Sequence, residues 1–190
     1  MKIIVFSNTT GGIKELVEQN ELLAVKPDLI LLLGDIHKRA LYSIEHFFKD
    51  IPIYGVLGEN DSKDAFHDTN IKSLHRNVVN VKGYIIAGFS GVPIYTDNNK
   101  VANQFTEQEL STFLDKIGPV DIFVAHANPR WAKPEDELDL YRGFEEYSNY
   151  LLRDRPKLFL HGHTGSPLVY NIHDDTTVIT VNEYQVLTID

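Results

Sequence analysis

One stretch constrains this chain more than any other: Asp28-Leu29-Ile30-Leu31-Leu32-Leu33-Gly34-Asp35. Five consecutive large aliphatics can only be a buried core segment. The run is too short for a core helix and is bounded by Pro27 and Gly34. It therefore reads as a central strand covered on both faces. It ends in a glycine and then a carboxylate. In open α/β sheets the functional crevice lies beyond the carboxyl ends of the strands, so such a fold delivers Asp35 to that crevice. Four other segments repeat the arrangement. Met1 to Phe6 leads to Ser7-Asn8-Thr9-Thr10-Gly11-Gly12, and Ile53 to Leu57 leads to Gly58-Glu59-Asn60-Asp61. Asp121 to Ala125 leads to His126-Ala127-Asn128-Pro129, and Lys157 to Leu160 leads to His161-Gly162-His163-Thr164-Gly165. Five apolar runs thus deliver polar residues to one rim.

The connections set the fold class. A helix is expected at about Ile13–Val25, with Ile13, Leu16, Val17, Leu23 and Ala24 on its apolar face and Pro27 as its stop. A second, at about Arg39–Phe48, carries Leu41, Ile44, Phe47 and Phe48 at helical spacing, and Pro52 precedes the third strand. The result is βαβαβ, hence parallel strands with right-handed crossovers. Asn77–Val81 and Tyr84–Gly88 form a hairpin across Lys82-Gly83. Pro93 to Gln104 reads as an exposed loop. Thr106 with Glu109 makes a capping box for a helix running through Ile117. Arg130 to Leu140, polar and broken by Pro134, reads as a surface excursion, and Phe144 to Leu152 as a helix stopped before Pro156. Leu168–Ile172, Thr177–Val181 and Glu183–Ile189 alternate, turn at Asp174-Asp175, and are expected to form an antiparallel closing sheet. The expectation is a single domain over 1–190, an α/β fold of two sheets sandwiched between helices.

Composition narrows the chemistry. The chain has 190 residues, enough for one ordinary core. It contains no apolar run of the roughly 20 residues a membrane helix needs, and a strand begins almost at Met1, so a cytoplasmic protein without a membrane partner is expected. There is no cysteine, so any metal must be held by His, Asp, Glu or Asn. The net charge of −9 gives no strong case for nucleic acid, whose phosphates require a basic surface. It leaves room for a small phosphorylated molecule or nucleotide, because a bound divalent cation reverses the field of an acidic site.

A histidine in a globular chain is most often a surface group or a satisfied core group, and His46, His67, His75 and His173 take that reading. His126 and His163 differ because each directly ends a buried run. With Asp35 they make one carboxylate and two imidazoles, a set suited to Zn, Mn, Fe or Ni. Glu59, after Gly58 at another strand end, is a candidate fourth ligand.

In order, S-N-T-T-G, GD, G-E-N-D, an H-A-x-P-like turn and G-H-T-G resemble the calcineurin-like metallophosphoesterase superfamily, closest to its small Icc-related branch. That branch is usually written S-D-T-H-G, GD, G-N-H/C-D, H-x-P-P and G-H-T/I-H. The match spans nearly the whole chain and includes Phe89-Ser90-Gly91 and Tyr141-Arg142-Gly143. The resemblance implies the two-sheet αββα sandwich. It also implies a two-metal site at the sheet crevice with Asp35 as bridging carboxylate, clamping a phosphoester for in-line attack by hydroxide. Residue by residue this chain departs from it. The first-motif Asp is Asn8, the His two later is Thr10, and the last-motif second His is Gly165. The site they would complete is expected to hold no metal. The other keeps Asp35, His126 and His163, with Glu59 in place of an Asn. The adjoining His, thought to protonate the leaving group, is Asn60, which has no useful acid pKa. His37 and His161, close to candidate ligands, take a structural reading, although His37 follows the GD turn and could face a phosphate.

Asp35, Asn60 and His126 are thus the candidate catalytic residues, and Asp35, Glu59, His126 and His163 the candidate ligands of one divalent ion. Asn8, Thr10, Asn60 and His37 are the candidate substrate contacts. Three functions stay open: a slow one-metal phosphoesterase for phosphomonoesters or diesters, a non-catalytic binder of metal, nucleotide or protein, and a structural protein with no metal.

Overall fold

The computed structural model describes residues 1–11, 13–19, 22–95, 101–131 and 140–190. In chain order the strands are β1 (Lys2–Ser7), β2 (Leu29–Leu32), β3 (Ile53–Gly55), β4 (Lys72–Ser73), β5 (Asn77–Val81), β6 (Tyr84–Phe89), β7 (Val92–Pro93) and β8 (Gln104–Phe105). They continue with β9 (Ile122–Ala125), β10 (Leu158–His161), β11 (Leu168–Ile172), β12 (Thr176–Thr180) and β13 (Glu183–Thr188). The helices are α1 (Lys14–Gln19), α2 (Lys38–Phe47), α3 (Glu107–Leu114) and α4 (Glu145–Asp154), with a 3₁₀ turn at Leu22–Val25. One sheet runs β13-β1-β2-β3-β4 and the other β11-β12-β10-β9-β6-β5, while β7 and β8 pair separately. Among the described residues no helix is long and apolar enough to cross a membrane.

The two sheets face each other, and this is why the strands read as unbroken apolar runs. Ile3, Val5, Leu29, Leu31 and Leu33 of the first sheet meet Ile86, Ile122, Val124, Leu160 and Ile179 of the second. The alternate residues Ile4, Phe6, Ile30 and Leu32 point the other way and pack under Ile13, Val17, Leu41 and Ile44. Ala87, Phe89, Phe123 and Phe159 likewise pack under Leu110, Phe113, Tyr147 and Leu151. The expected αββα sandwich is the fold observed. All five aliphatics from Leu29 to Leu33 are fully buried. At about 2 kcal/mol each they contribute about 10 kcal/mol, as much as the net stability of a typical domain. That pins the position of Asp35 at the strand's end.

The capping box forms: Glu109 N–H donates to Thr106 Oγ1 at 3.1 Å, and Thr106 N–H donates to Glu109 Oε2 at 3.0 Å. The hairpin at Lys82-Gly83 forms with Val81 opposite Tyr84. Two expectations need correction. The first helix is only Lys14–Gln19, followed by the 3₁₀ turn. Leu22 is five residues past Val17, about 140° round a 3.6-residue helix, so one continuous helix could not seat both on the sheet. The three tail strands do not form one closing sheet. β11 and β12 extend the second sheet, whereas β13 crosses to pair antiparallel with β1, Lys2 opposite Thr188. The edge left open beside β1 takes up β13, which the sequence pattern alone could not distinguish. Parts of the two expected loops, residues 96–100 and 132–139, lie outside the described residues.

Candidate metal centre

The loops after β1, β2, β3, β9 and β10 meet at the carboxyl ends of their strands. Two glycines make the meeting possible. A Cβ on Gly34, whose φ is +90°, would stand 2.3 Å from Gly58 N and 2.7 Å from His126 Nδ1; one on Gly58 would stand 2.0 Å from Asp35 Oδ1. Three residues of these loops hold left-handed backbone without being glycine: Asn8 (φ 51°), Asp35 (φ 54°) and His163 (φ 65°). Such conformations are uncommon outside glycine and persist where the surroundings over-determine them. The tie here is Asp61. Its carboxylate accepts N–H bonds from Asp35 (2.7 Å), Ile36 (3.1 Å) and Gly58 (2.8 Å), locking the β2 and β3 loops together. Burial pushes the Asp61 carboxyl up to about 6, against the Gly58 and Asp35 N–H groups that favour its anion. Asn103 adds a second tie, donating Nδ2–H to the carbonyls of Gly58 (2.7 Å) and Asp61 (3.0 Å).

On this frame Glu59, His126 and His163 converge, with one donor atom from each lying within 4.8 Å of the others. Glu59 Oε2 is 2.7 Å from His126 Nε2, and Oε1 is 3.2 Å from His163 Nδ1. The far side of each ring is anchored to a carbonyl, which can only accept. His126 Nδ1–H donates to Leu33 O at 2.6 Å, and His163 Nε2–H donates to Leu140 O at 2.7 Å. Each imidazole therefore directs its other nitrogen at Glu59. Burial alone would raise the Glu59 carboxyl, but hydrogen bonds from the two histidines outweigh it and hold the group well below the usual carboxylate range. Burial alone would lower His126, but the Glu59 hydrogen bond and the charges of Asp35 and Glu59 raise it.

Asp35 stands one step out. It is not part of the 4.8 Å group, in which Glu59, expected as the fourth ligand, stands with the two histidines. Its Oδ2 is 3.7 Å from His126 Nε2, and Asn60 holds both its oxygens, backbone N–H to Oδ1 at 3.0 Å and Nδ2–H to Oδ2 at 2.7 Å. Asn8, Thr10, His37, Asn60 and Gly165 line the cavity of about 500 Å³ above the centre, together with Tyr141 and Asn182. Asn8 Nδ2–H donates to Asn182 Oδ1 at 3.2 Å. His37 caps α2, its Nδ1 accepting Arg39 N–H at 3.3 Å. His161 stays out of the centre: Nδ1–H donates to Gly162 O, Nε2 accepts from Thr180 Oγ1, and burial lowers its pKa to about 4. His75 is satisfied by Ser90 N–H at 3.0 Å. Sequence reasoning did not name Asp61, Asn103, Asn182 or Tyr141 as site residues. Asp61 carried a signal as the last residue of G-E-N-D, and Tyr141 as the first of Tyr141-Arg142-Gly143.

No curated protein sequence matches this chain. Among solved structures it is similar to the TT1561 protein of Thermus thermophilus (TM-score 0.66, 17% identity, 96% of this chain and 89% of that one). It is also similar to the phosphopantetheinyl hydrolase of Mycobacterium tuberculosis (TM-score 0.60, 12% identity, 96% and 89%) and a dimetal phosphatase of Danio rerio (TM-score 0.60, 10% identity, 96% and 87%). At such identities these likenesses establish the fold. The sequence profile of the calcineurin-like phosphoesterases matches residues 1–167, and the chain belongs to that family.

Proposed function

We propose that this chain is a slow phosphoesterase for a small phosphorylated molecule, working with one divalent ion. The observation that carries the reading is the outward anchoring of both imidazoles. Metal-binding histidines donate their second ring N–H to a carbonyl or carboxylate, which fixes the tautomer and aims the free lone pair. His126 and His163 both do so, and both lone pairs aim at Glu59. With neutral rings, two acceptors would face each other at 2.7 Å. A proton on the ring, which Glu59 and Asp35 favour in the metal-free protein, or a divalent cation in its place resolves that conflict. The donor set suits Mn, Zn, Fe or Ni, with Asp35 near enough to His126 to join it. A divalent ion held there supplies charge to polarise a phosphoryl oxygen and to activate water.

The chain's own groups account for slowness. Asn60, where leaving-group protonation is expected from the family pattern, is an amide spent on Asp35. Loss of general acid catalysis typically costs about 10²–10⁴-fold. Asn8, Thr10 and Gly165 offer neutral oxygens or no side chain at the other half of the crevice. They are suited to holding substrate rather than a second ion. Binding without turnover is the second reading, favoured by the same Asn60–Asp35 bonds, which occupy the carboxylate. Metal content of the purified protein and hydrolysis of p-nitrophenyl phosphate with added Mn²⁺ test the proposal. About one ion per chain and slow turnover that disappears in His163→Ala are expected. An ion-free, inert protein after Mn²⁺ loading would overturn it.

A further inference from the structure

We propose that Asn103 is a positioning residue of the metal centre. Its amide closes the turn that carries Glu59, holds that carboxylate against the two histidines, and so sets how tightly the site keeps an ion. The effect on the ion rests on the metal reading above. Gly58 to Asp61 form a β-turn with Glu59 and Asn60 at its central positions. The turn's own closing bond, Asp61 N–H to Gly58 O, is long at 3.3 Å. Yet both functions of this stretch depend on its shape. Glu59 meets the imidazoles of His126 and His163, and Asn60 holds the Asp35 carboxylate.

Asn103 supplies a stronger closure. Its Nδ2 group donates one N–H to Gly58 O at 2.7 Å and the other to Asp61 O at 3.0 Å. These are the carbonyls at the two ends of the turn, so one planar amide fixes the distance between them. The residue is 7% exposed, which keeps water from competing for the bonds. The backbone delivers the amide there. Asn103 holds a left-handed conformation (φ 51°), which Asn tolerates better than most residues. Its carbonyl accepts Val92 N–H at 3.1 Å, beside the β7–β8 pairing of Val92 with Gln104. Gly91 permits the approach, since a Cβ there would stand 1.9 Å from Asn103 O. The chain entering the turn is gripped from the same side: Gly91 N–H donates to Leu57 O at 2.7 Å, and Leu57 N–H donates to Ser90 Oγ at 2.9 Å.

With both N–H groups spent on carbonyls, Asn103 acts through the turn and not on an ion. A buried amide that only satisfied two carbonyls would cost stability when removed and leave the centre unchanged. A positioning amide also moves Glu59, and groups that orient a metal ligand are felt in metal affinity.

Asn103→Gly tests this, because it removes the amide and keeps the left-handed backbone. Calorimetric titration with Mn²⁺ should show binding about 10–100-fold weaker than in the wild type, the usual cost of losing such an orienting group. Asp121→Ala is the control. It loses the Ile85 N–H bond (2.9 Å) and the Lys157 ion pair (2.8 Å) at the opposite end of β9 from His126. It should lower Tm while keeping Mn²⁺ affinity within about twofold. A second readout needs no metal: in EDTA the Tm loss caused by Glu59→Gln should shrink by about half in the Asn103→Gly background, because coupled residues do not add. Native Mn²⁺ affinity in Asn103→Gly, an equal loss of affinity in Asp121→Ala, or Tm losses that add would overturn the inference. A wild type that binds no Mn²⁺ would overturn the metal reading instead, and the EDTA comparison then decides by itself whether Asn103 positions Glu59.

Discussion

Replacing Glu59 by Gln should remove a pH-dependent part of the metal-free protein's stability. The sign follows from two opposite shifts. The Glu59 carboxyl is held below its usual 4.5: burial opposes this, but His126 and His163 outweigh it. Stability from a depressed carboxylate is present above 4.5 and lost as pH falls through its folded value. His126 is raised above 6.5 by Glu59 and Asp35 against burial, so its contribution is present below 6.5 and lost as pH rises through its folded value. The contact therefore stabilises fully between pH 4.5 and 6.5. The Glu59 side chain is 11% exposed and that of His126 0%, so solvent screens the pair little. Breaking a buried pair from one side costs about 3–5 kcal/mol. The Gln amide can still donate to neutral His126, which returns about 1 kcal/mol. A net loss of about 2–4 kcal/mol lowers Tm by about 5–15 °C for a chain of this length. Thermal unfolding in EDTA should show that gap at about pH 5.5, inside the window, and a smaller one at about pH 9, above it. Mn²⁺ at about 100 times its Kd should stabilise the wild type by about 2.7 kcal/mol and the Gln variant far less. An equal gap at both pH values, or full metal protection of the variant, would refute the reasoning.

Combining Asn8→Asp, Thr10→His and Gly165→His should raise bound Mn²⁺ towards two per chain, measured by elemental analysis, because all three positions line one cavity. Position 165 has open space, but its φ of +70° will cost a histidine about 1–2 kcal/mol; unchanged stoichiometry would sink this alignment of the loops. Gly58→Ala should push Asp35 aside, since the new Cβ would lie 2.0 Å from Oδ1. A loss of about 1–3 kcal/mol together with reduced metal content is expected; a variant with native Tm and metal would show that the close approach is not needed.

The fold was legible where burial is two-sided. Leu29–Leu33 admits no other reading, because a strand in the middle of a layered sandwich must be apolar on both faces. Local turn chemistry was equally readable at Lys82-Gly83 and at the Thr106–Glu109 box. What failed depends on long-range pairing. β13 has alternating, partly exposed residues that satisfy either sheet edge, and only the open edge beside β1 selects one. The first helix failed for a related reason, since Leu22 belongs to the apolar layer but not to the helical stripe.

The site was legible to the extent that strand ends announce it. His126 and His163 could be named because each follows a buried run, and the structure brings both to Glu59. Asp35 lies 3.7 Å from His126 but outside the 4.8 Å group, because the GD turn fixes where its backbone goes but not which neighbour claims its carboxylate. Asn60 claims it, through one backbone and one side-chain bond. The two neighbours in G-E-N-D thereby divide the work. Glu59 turns inward as the anionic donor, and Asn60 turns back to hold the adjacent loop. An imidazole at position 60 would replace the amide bond to Asp35 Oδ2 with a ring N–H of different reach and direction, so the carboxylate is expected to shift. The exchange that removes a proton donor therefore also sets the Asp35 carboxylate, and the two effects are inseparable in a single substitution. Restoring a histidine at position 60 should loosen Asp35 as it adds an acid, so its gain in turnover, measured on p-nitrophenyl phosphate with Mn²⁺, should fall short of the full factor of about 10²–10⁴ for general acid catalysis.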